Sequence, residues 1–155
     1  MDLEMLIEPA AILPSLRANS KKQVLQALAE KAAAITGRPD REIFETILGR
    51  EKLGSTAVGN GIAIPHGKLP ELERIVGVFA RLAKPVDFDA LDDQPVDIVF
   101  LLLAPEGSGA DHLKALSKVA RLLRNGDTVD KIRQASPDAG VIYALMTNGL
   151  SQNAA

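Results

Sequence analysis

The first third of the chain carries apolar residues at helical spacing. Residues 20–23 form a capping box, with a hydroxyl at the N-cap position and an amide three residues later. Apolar residues then follow on one face, and Gly37 is placed to end the helix: Val24, Leu25, Leu28 and Ile35. A second helix is predicted to begin at Pro39, on a stripe formed by Ile43, Phe44, Ile47 and Leu48.

Short apolar runs in the middle of the chain predict strands. Residues 52–61 are rich in glycine and polar residues and predict a loop, which leads into a short strand over Ile62–Ile64. Residues 74–82 alternate, which predicts a strand covered mainly on one face. Residues 96–104 are almost all apolar between two prolines, which is typical of a central strand covered on both faces.

Helical spacing returns after residue 105. Ser108-Gly-Ala-Asp111 is a capping signal, and the stripe behind it predicts a third long helix: Leu113, Leu116, Val119, Ala120 and Leu123. Asp127 or Thr128 is expected to cap a short helix that ends near Ala135. Ser136-Pro137 then opens a last helix, with Gly149 at its end.

Alternation of helices and strands around one strand buried on both faces predicts the fold class. We expect an α/β protein, a single three-layer domain with a mixed central β-sheet and helices on both faces. The domain is expected to span residues 1–155, with a core over about residues 3–148 and a frayed tail over 149–155.

Composition excludes several classes of function. The chain has 155 residues, 46% hydrophobic and 25% charged, with a net charge of −2, no cysteine and no tryptophan. No basic run with interleaved aromatics is present, so we expect no nucleic-acid partner. The acidic N-terminus predicts no signal peptide, and the longest apolar run is too short to insert into a membrane. We therefore expect a cytoplasmic protein.

One histidine stands in a distinctive backbone context, Ala63-Ile-Pro-His-Gly67. Pro65 fixes its own φ and favours an extended residue before it. Gly67 tolerates positive φ, so His66 is expected to leave a strand end onto a turn with space beside its ring. Taken alone, this context also fits a turn histidine that makes a local hydrogen bond.

The surrounding residues 50–67 carry a longer motif, whose constrained positions are Glu51, Val58, Gly59, Ile62, Ala63, Ile64, Pro65 and His66. This motif resembles the phosphorylation-site signature of the mannitol/fructose class of enzyme IIA in the bacterial phosphoenolpyruvate-dependent phosphotransferase system. The resemblance covers roughly residues 3–148. Residues 59–68 and 92–97 are most similar to the nitrogen-regulatory branch of that class.

The resemblance implies that His66 accepts a phosphoryl group from a phosphohistidine on an HPr-like phosphocarrier protein, without a cofactor. A neutral imidazole suits this role, because one ring nitrogen can attack phosphorus while a backbone carbonyl holds the other. The nitrogen-regulatory branch further implies regulation of nitrogen- or potassium-related targets, such as potassium-transport components or sensor kinases, through the phosphorylation state.

His112 falls in the first turn of the third long helix, where partial positive charge favours a bound phosphoryl group. By itself it also fits a partly exposed histidine without a partner. The resemblance places a second histidine beside the phosphorylated one, so we expect His112 to hydrogen-bond the phosphoryl oxygens or the acceptor ring.

Arg50 is expected to contact phosphate or a partner, although a solvated arginine at a helix end is the simpler interpretation. Ser55, Thr56 and Gly67 are candidate phosphate-binding residues, and Lys68 is a weaker one. Turn formation explains the two hydroxyls almost as well. Glu51 is expected to form a structural salt link.

Three other functions remain open from the sequence. Two histidines with Asp111 or Glu106 could form the zinc site of a hydrolase, although their spacing supports no known motif and we predict no metal. A protein-binding regulator that is never phosphorylated is the second. The third is a sugar-specific enzyme IIA that passes the phosphoryl group to a IIB domain.

Overall fold

The computed structural model describes residues 2–154. Within that part of the chain, six strands form one mixed sheet and helices cover both faces. The helices are α1 (Leu3–Leu6), α2 (Lys21–Thr36), α3 (Asp40–Leu53), α4 (Gly109–Arg124), α5 (Gly126–Gln134) and α6 (Ala139–Ala154). The strands are β1 (Ile12–Leu16), β2 (Ala57–Gly59), β3 (Ile62–Ala63), β4 (His66–Leu69), β5 (Val76–Val86) and β6 (Val96–Pro105). This arrangement confirms the predicted three-layer α/β fold.

Strand β6 lies at the centre of the sheet, whose order is β1-β5-β6-β3-β2. Strand β5 pairs with it antiparallel on one side, and β3 and β4 pair with it parallel on the other. Strands β3 and β4 keep the same register along β6, since Ala63 lies opposite Val99 and His66 lies opposite Leu102. The two therefore form one extended segment that is interrupted at Pro65.

The residues of β6 alternate between two hydrophobic clusters. Ile98, Phe100 and Leu102 pack with α1, α4, α5 and α6. Val99 and Leu101 pack with α2 and α3 on the opposite face. Each is completely buried, and removing a leucine side chain from such a core costs about 2–5 kcal/mol. The prediction of a central strand covered on both faces is thus confirmed.

The N-terminal helices follow the predicted signals closely. The Ser20 hydroxyl accepts from the Gln23 backbone N–H at 3.2 Å, and the Gln23 side chain accepts from the Asn19 N–H at 2.7 Å. Gly37 ends α2 with φ of 75°, a conformation that glycine adopts without steric cost. Pro39 occupies the N-cap of α3 rather than its first helical position.

The predicted caps of the C-terminal helices were wrong. Ser108 occupies the N-cap position of α4 with αR dihedral angles, but its hydroxyl donates to the Pro105 carbonyl at 2.7 Å and so does not cap the helix. Asn125, not Asp127 or Thr128, caps α5 by accepting from the Thr128 N–H at 3.2 Å. Several polar residues compete for each cap, and tertiary packing decides which of them is used.

The last helix differs from its predicted limits at both ends. The Asp138 carboxylate accepts from the Val141 N–H at 3.1 Å, so the helix begins at Ala139 rather than at the Ser136-Pro137 pair. It also continues past Gly149 to Ala154. The final residue of the predicted tail, Ala155, lies outside the described residues.

Three strand predictions also need correction. Strand β1 was not predicted, and β2 lies within the segment expected to be a loop. Residues 76–80 of β5 are buried throughout, although their alternation indicated one covered face. The sequence did not reveal the second buried face, because Gly77 and Arg81 are two of the residues of β5 that point to it and neither is both apolar and large. Gly77 is closely packed: a Cβ atom there would lie 2.7 Å from the Phe100 ring and 2.9 Å from the Leu6 carbonyl oxygen.

Among residues 2–154, no helix combines the length and the apolar character that a bilayer-spanning helix needs.

Candidate functional site

His66 is the first residue of β4 and lies opposite Leu102 in a parallel pairing. Side chains of directly opposed residues project from the same face of a sheet. Because Leu102 packs with α4, the imidazole of His66 projects towards the start of that helix, and the ring is partly exposed. The expected turn at this position is wrong, since residues 66–69 continue the sheet.

The backbone fixes the tautomer of His66. Its Nδ1 lies 2.9 Å from the carbonyl oxygen of Ile64. A carbonyl can only accept, so Nδ1 carries the hydrogen and Nε2 keeps its lone pair. No hydrogen bond joins Nε2 to any described side chain or backbone group. The backbone carbonyl that was expected to hold one ring nitrogen is therefore present, and it belongs to Ile64, which the sequence could not identify.

His112 extends from the first turn of α4 to the same site. The ring centroids of His66 and His112 are 5.8 Å apart, with planes inclined at 65°. Only 7% of His112 is exposed, and its buried Nε2 has no hydrogen-bond partner among the described residues. The structure thus brings together the two histidines that the sequence selected.

Burial lowers the pKa of His112 below its ordinary value of 6.5. The positive charge of Lys68 acts in the same direction, as would a proton on His66. His112 is therefore neutral at physiological pH, with one ring nitrogen able to donate and the other able to accept. A buried nitrogen without a partner is energetically costly, so a ligand atom at this point would gain from pairing with it.

The first turn of α4 has no side-chain cap, because Ser108 is bonded to Pro105. In this turn the Ser108 N–H donates to the Pro105 carbonyl at 3.1 Å and the Asp111 N–H to the Ser108 carbonyl at 2.8 Å. The N–H groups of Gly109 and Ala110 have no acceptor within the helix, and they carry its partial positive charge. An uncapped helix start beside His112 is consequently a favourable environment for an anionic group near His66.

Gly67 has an extended backbone and does not use the positive φ that glycine tolerates. It lies opposite Leu103 and faces α3, where a Cβ atom would come within 2.8 Å of Thr46 Cγ2. The reason for glycine here is close packing against α3. The sequence did not identify Thr46, because nothing in the local motif indicates which helix covers this strand.

The other candidate side chains already have partners. Arg50, in the last turn of α3, donates from Nη1 to the Gly54 carbonyl at 2.8 Å. Ser55 donates its hydroxyl to the Phe88 carbonyl, and Thr56 donates its hydroxyl to Glu51. As donors, both hydroxyls are engaged within the protein, so a bond to phosphate would require them to give up these acceptors. Lys68 is exposed beside His66 in the chain.

Glu51 forms the predicted salt link. Its carboxylate is 2.8 Å from Lys21 Nζ at the start of α2, and the residue is only 5% exposed. Lys21 also lies 5.2 Å from the centre of the Phe88 ring. A buried carboxylate with a close ammonium and further donors is properly compensated.

Within residues 2–154, no group of three or more His, Asp or Glu side chains converges as a set of metal ligands. The geometry therefore gives no support to a zinc site that combines the two histidines with Asp111 or Glu106.

Comparison with known proteins gives consistent matches over nearly the whole chain. The model of the family described as "Phosphoenolpyruvate-dependent sugar phosphotransferase system, EIIA 2" matches residues 5–148. A protein of Bradyrhizobium diazoefficiens named nitrogen regulatory protein is 62% identical over 146 residues, which are 94% of this chain and 95% of the relative. Its namesake in Escherichia coli K12 is 47% identical over 130 residues, 83% of this chain and 79% of the relative.

A solved structure agrees with these sequence matches. The crystal structure of nitrogen regulatory protein IIA-Ntr from Neisseria meningitidis has a TM-score of 0.88 and 32% identity, covering 94% of this chain and 99% of that chain. The matched region of the family model contains both His66 and His112.

Proposed function

Because this chain belongs to the EIIA type 2 family of the phosphoenolpyruvate-dependent phosphotransferase system, we propose that His66 is its phosphoryl acceptor and that an HPr-like carrier is the donor. The protein is a phosphocarrier of the nitrogen-regulatory branch, as its similarity to nitrogen regulatory proteins indicates. The observation that supports the choice of His66 is the bond from Nδ1 to the Ile64 carbonyl, which leaves Nε2 as the nucleophile.

The transfer step needs no external base. The Nε2 lone pair of His66 attacks phosphorus, and the N–P bond on the carrier breaks with its electron pair returning to the carrier's imidazole. The phosphorylated ring keeps its Nδ1 hydrogen and gains positive charge, which the Ile64 carbonyl stabilises at 2.9 Å. Donor and acceptor atoms are both nitrogen, so the transfer is reversible and depends mainly on positioning and electrostatics.

His112 supplies the second part of the site. Its unpaired Nε2 and its proximity to His66 suit a hydrogen bond to an equatorial oxygen of the transferred group. A donor that is already fixed by burial stabilises charge in the transition state without reorganisation. The uncapped first turn of α4 adds partial positive charge beside it.

Regulation follows from the charge of the product. A phosphoryl group adds about two negative charges to a surface where Leu113, next to His112, is 67% exposed. A partner that recognises this apolar surface would bind the unphosphorylated form in preference to the phosphorylated one. We propose cytoplasmic partners related to nitrogen metabolism or potassium transport, including sensor kinases.

Intact mass after incubation with phosphoenolpyruvate, enzyme I and an HPr-like carrier tests the acceptor. We expect one acid-labile phosphoryl group on the wild type and none on His66→Ala, with His112→Ala retaining His66 as an acceptor. No gain in mass on a folded wild type with an active carrier would contradict the proposal and favour a binding module that is never phosphorylated.

A second assay tests the branch. Phosphorylated protein is mixed with a purified sugar-specific IIB domain, and transfer is followed over time. We expect transfer to be much slower than the loading of His66 by the carrier. Transfer at a comparable rate would favour a sugar-specific enzyme IIA instead.

A further inference from the structure

Glu51 is the centre of a buried polar cluster beneath the site. Its carboxylate pairs with Lys21 and accepts from both the hydroxyl and the backbone N–H of Thr56, the latter at 3.2 Å. Thr56 is 6% exposed and lies in the short segment between α3 and β2. Two bonds to one buried carboxylate fix both the side chain and the peptide of Thr56.

The cluster continues to His66 through the backbone. The Thr56 carbonyl accepts from the Ile64 N–H at 3.0 Å. On the carbonyl side of the same residue, the oxygen of Ile64 accepts from His66 Nδ1 at 2.9 Å. Three hydrogen-bonding steps, joined by the backbones of Thr56 and Ile64, therefore connect Glu51 to the imidazole.

We propose that Glu51 and Thr56 are positioning residues. They hold the backbone of Ile64, and through its carbonyl they set the orientation and tautomer of His66. They contact neither the phosphoryl group nor the carrier. The predicted effect on the rate of phosphoryl loading rests on the proposed function, whereas the predicted effect on the tautomer of His66 does not.

The need for such a support arises from Pro65. Proline has no N–H, so the segment between β3 and β4 loses one bond of the ladder. It is attached on the β6 side by the Leu102 N–H, which donates to the Pro65 carbonyl at 2.9 Å. On the opposite side, Ile64 is attached by Thr56. That bond holds the Ala63–Ile64 peptide, and the Ile64 carbonyl belongs to the next peptide, on the other side of the same Cα. Without the bond, the backbone of Ile64 could rotate and carry its carbonyl with it, and an imidazole without a fixed acceptor populates both tautomers.

The burial of Glu51 is better explained by positioning than by stability. A paired, buried carboxylate is seldom better for stability than a well-packed apolar group of the same size. Burying the charge of Glu51 here does fix the geometry of Thr56, which an apolar side chain cannot do because it accepts no hydrogen bond.

The experiment compares disruptive and conservative variants. Thr56→Val keeps the volume and backbone but removes the hydroxyl, and Glu51→Ala removes both acceptors. Thr56→Ser keeps the hydroxyl. Glu51→Gln can still accept from Lys21 and the Thr56 N–H while its amide donates to the Thr56 hydroxyl. Thr128→Val is the matched control, because Thr128 is also buried, at 4% exposed, but lies in α5.

The first readout is the 15N chemical shift of the two His66 ring nitrogens in unphosphorylated protein at mildly alkaline pH. We expect wild type, Thr56→Ser, Glu51→Gln and Thr128→Val to show Nδ1 protonated. Thr56→Val and Glu51→Ala should show averaged shifts from mixed tautomers. Unchanged shifts in folded Thr56→Val would overturn the inference, and this variant decides the question if Glu51→Ala does not fold.

The second readout is the rate of loading from the phosphorylated carrier. We expect Thr56→Val to lose roughly tenfold or more, because small misplacements of a reacting group have large effects on rate. The two conservative variants and Thr128→Val should stay within about twofold of wild type. If Thr56→Val and Thr128→Val lose the same amount of loading rate, the loss comes from lower stability and the positioning role is wrong. If wild type accepts no phosphoryl group, the proposed function fails while the 15N measurement still tests the positioning.

Discussion

The imidazole rings of His66 and His112 meet edge to face, with centroids 5.8 Å apart. His66 is placed by the register of β4 on β6, and His112 by the first turn of α4, which directly follows β6. Both positions therefore depend on the same central strand. This arrangement places the proposed nucleophile beside a second polar ring.

We expect His112→Ala to lower the rate of phosphoryl loading by about 10²-fold, the usual effect of removing one preorganised donor from a charge-stabilising site. His66 should remain the acceptor, so the final extent of loading is reached, only later. Rapid-quench measurement with the phosphorylated carrier gives the rate.

His112→Gln provides the comparison, since its amide restores a donor of similar reach. A rate for Gln between those of wild type and Ala supports hydrogen bonding. If Ala loads as fast as wild type, His112 has no part in the transfer and its burial serves only packing.

Folding stability should decrease in mildly acidic solution because of His112. Burial lowers its pKa in the folded protein, while the unfolded chain keeps the ordinary value of 6.5. As pH falls below about 6.5, the unfolded chain takes up a proton that the folded protein resists, so the free energy of unfolding decreases. The contribution of neutral His112 to the free energy of unfolding is fully present above about pH 6.5, and it is lost progressively as the pH falls towards the lowered pKa of the folded protein.

Urea unfolding at several pH values between about 7.5 and 5 measures this effect. Acidic residues also contribute to the pH dependence, so the comparison with His112→Gln isolates the histidine. We expect the variant to lose less stability than wild type over the same interval. Parallel curves for the two proteins would contradict the assignment.

The sequence was sufficient for the central strand and for the choice of both histidines. The apolar run of β6 between two prolines has few alternatives to a buried strand, and its burial is confirmed. The local context of each histidine also fitted a structural interpretation, and the resemblance of residues 50–67 to the enzyme IIA signature decided the choice of both.

Long-range contacts explain what the sequence did not provide. The role of Gly67 depends on Thr46, which comes from α3 and is unrelated to the local motif. The sequence left the Thr56 hydroxyl open between phosphate binding and turn formation. It did not indicate the bond to Glu51, because the burial of Glu51 follows from helix packing and not from the spacing of residues. Strand β1 is short and pairs with β5 in parallel, so no hairpin turn marks it.

Arg50 is proposed to contact phosphate or the carrier, although its guanidinium bonds to Gly54 in the isolated protein. We expect Arg50→Ala to reduce loading about tenfold, mainly by raising the carrier concentration needed for half-maximal rate. Because Arg50 is partly exposed, the free energy of unfolding should change by less than about 1 kcal/mol.

Arg50→Lys tests the same proposal from another direction. Lysine keeps the charge but loses the planar fork, so it should restore the salt dependence of loading more than the rate itself. Loading by Arg50→Ala at the wild-type rate would leave the arginine with only its contact at the end of α3.

The packing of Gly67 against α3 predicts a specific pair of substitutions. Gly67→Ala would place a Cβ atom 2.8 Å from Thr46 Cγ2, and we expect it to lower the free energy of unfolding by about 1–3 kcal/mol. Thr46→Ser removes that methyl group while keeping the hydroxyl, which donates to the Glu42 carbonyl at 2.9 Å. The other neighbour, Ile47 Cγ2, would be at an ordinary 3.7 Å.

The double variant should therefore be more stable than the sum of the single changes by about 1 kcal/mol, measured by urea unfolding as a double-mutant cycle. Additive losses would exclude Thr46 as the reason for glycine. The rate of phosphoryl loading of His66, measured on the same variants, shows whether glycine is needed at residue 67 for packing or for the phosphoryl site. If the double variant recovers both stability and loading, glycine is needed for the approach of α3. Recovery of stability alone would mean that an added methyl group at residue 67 disturbs the phosphoryl site itself.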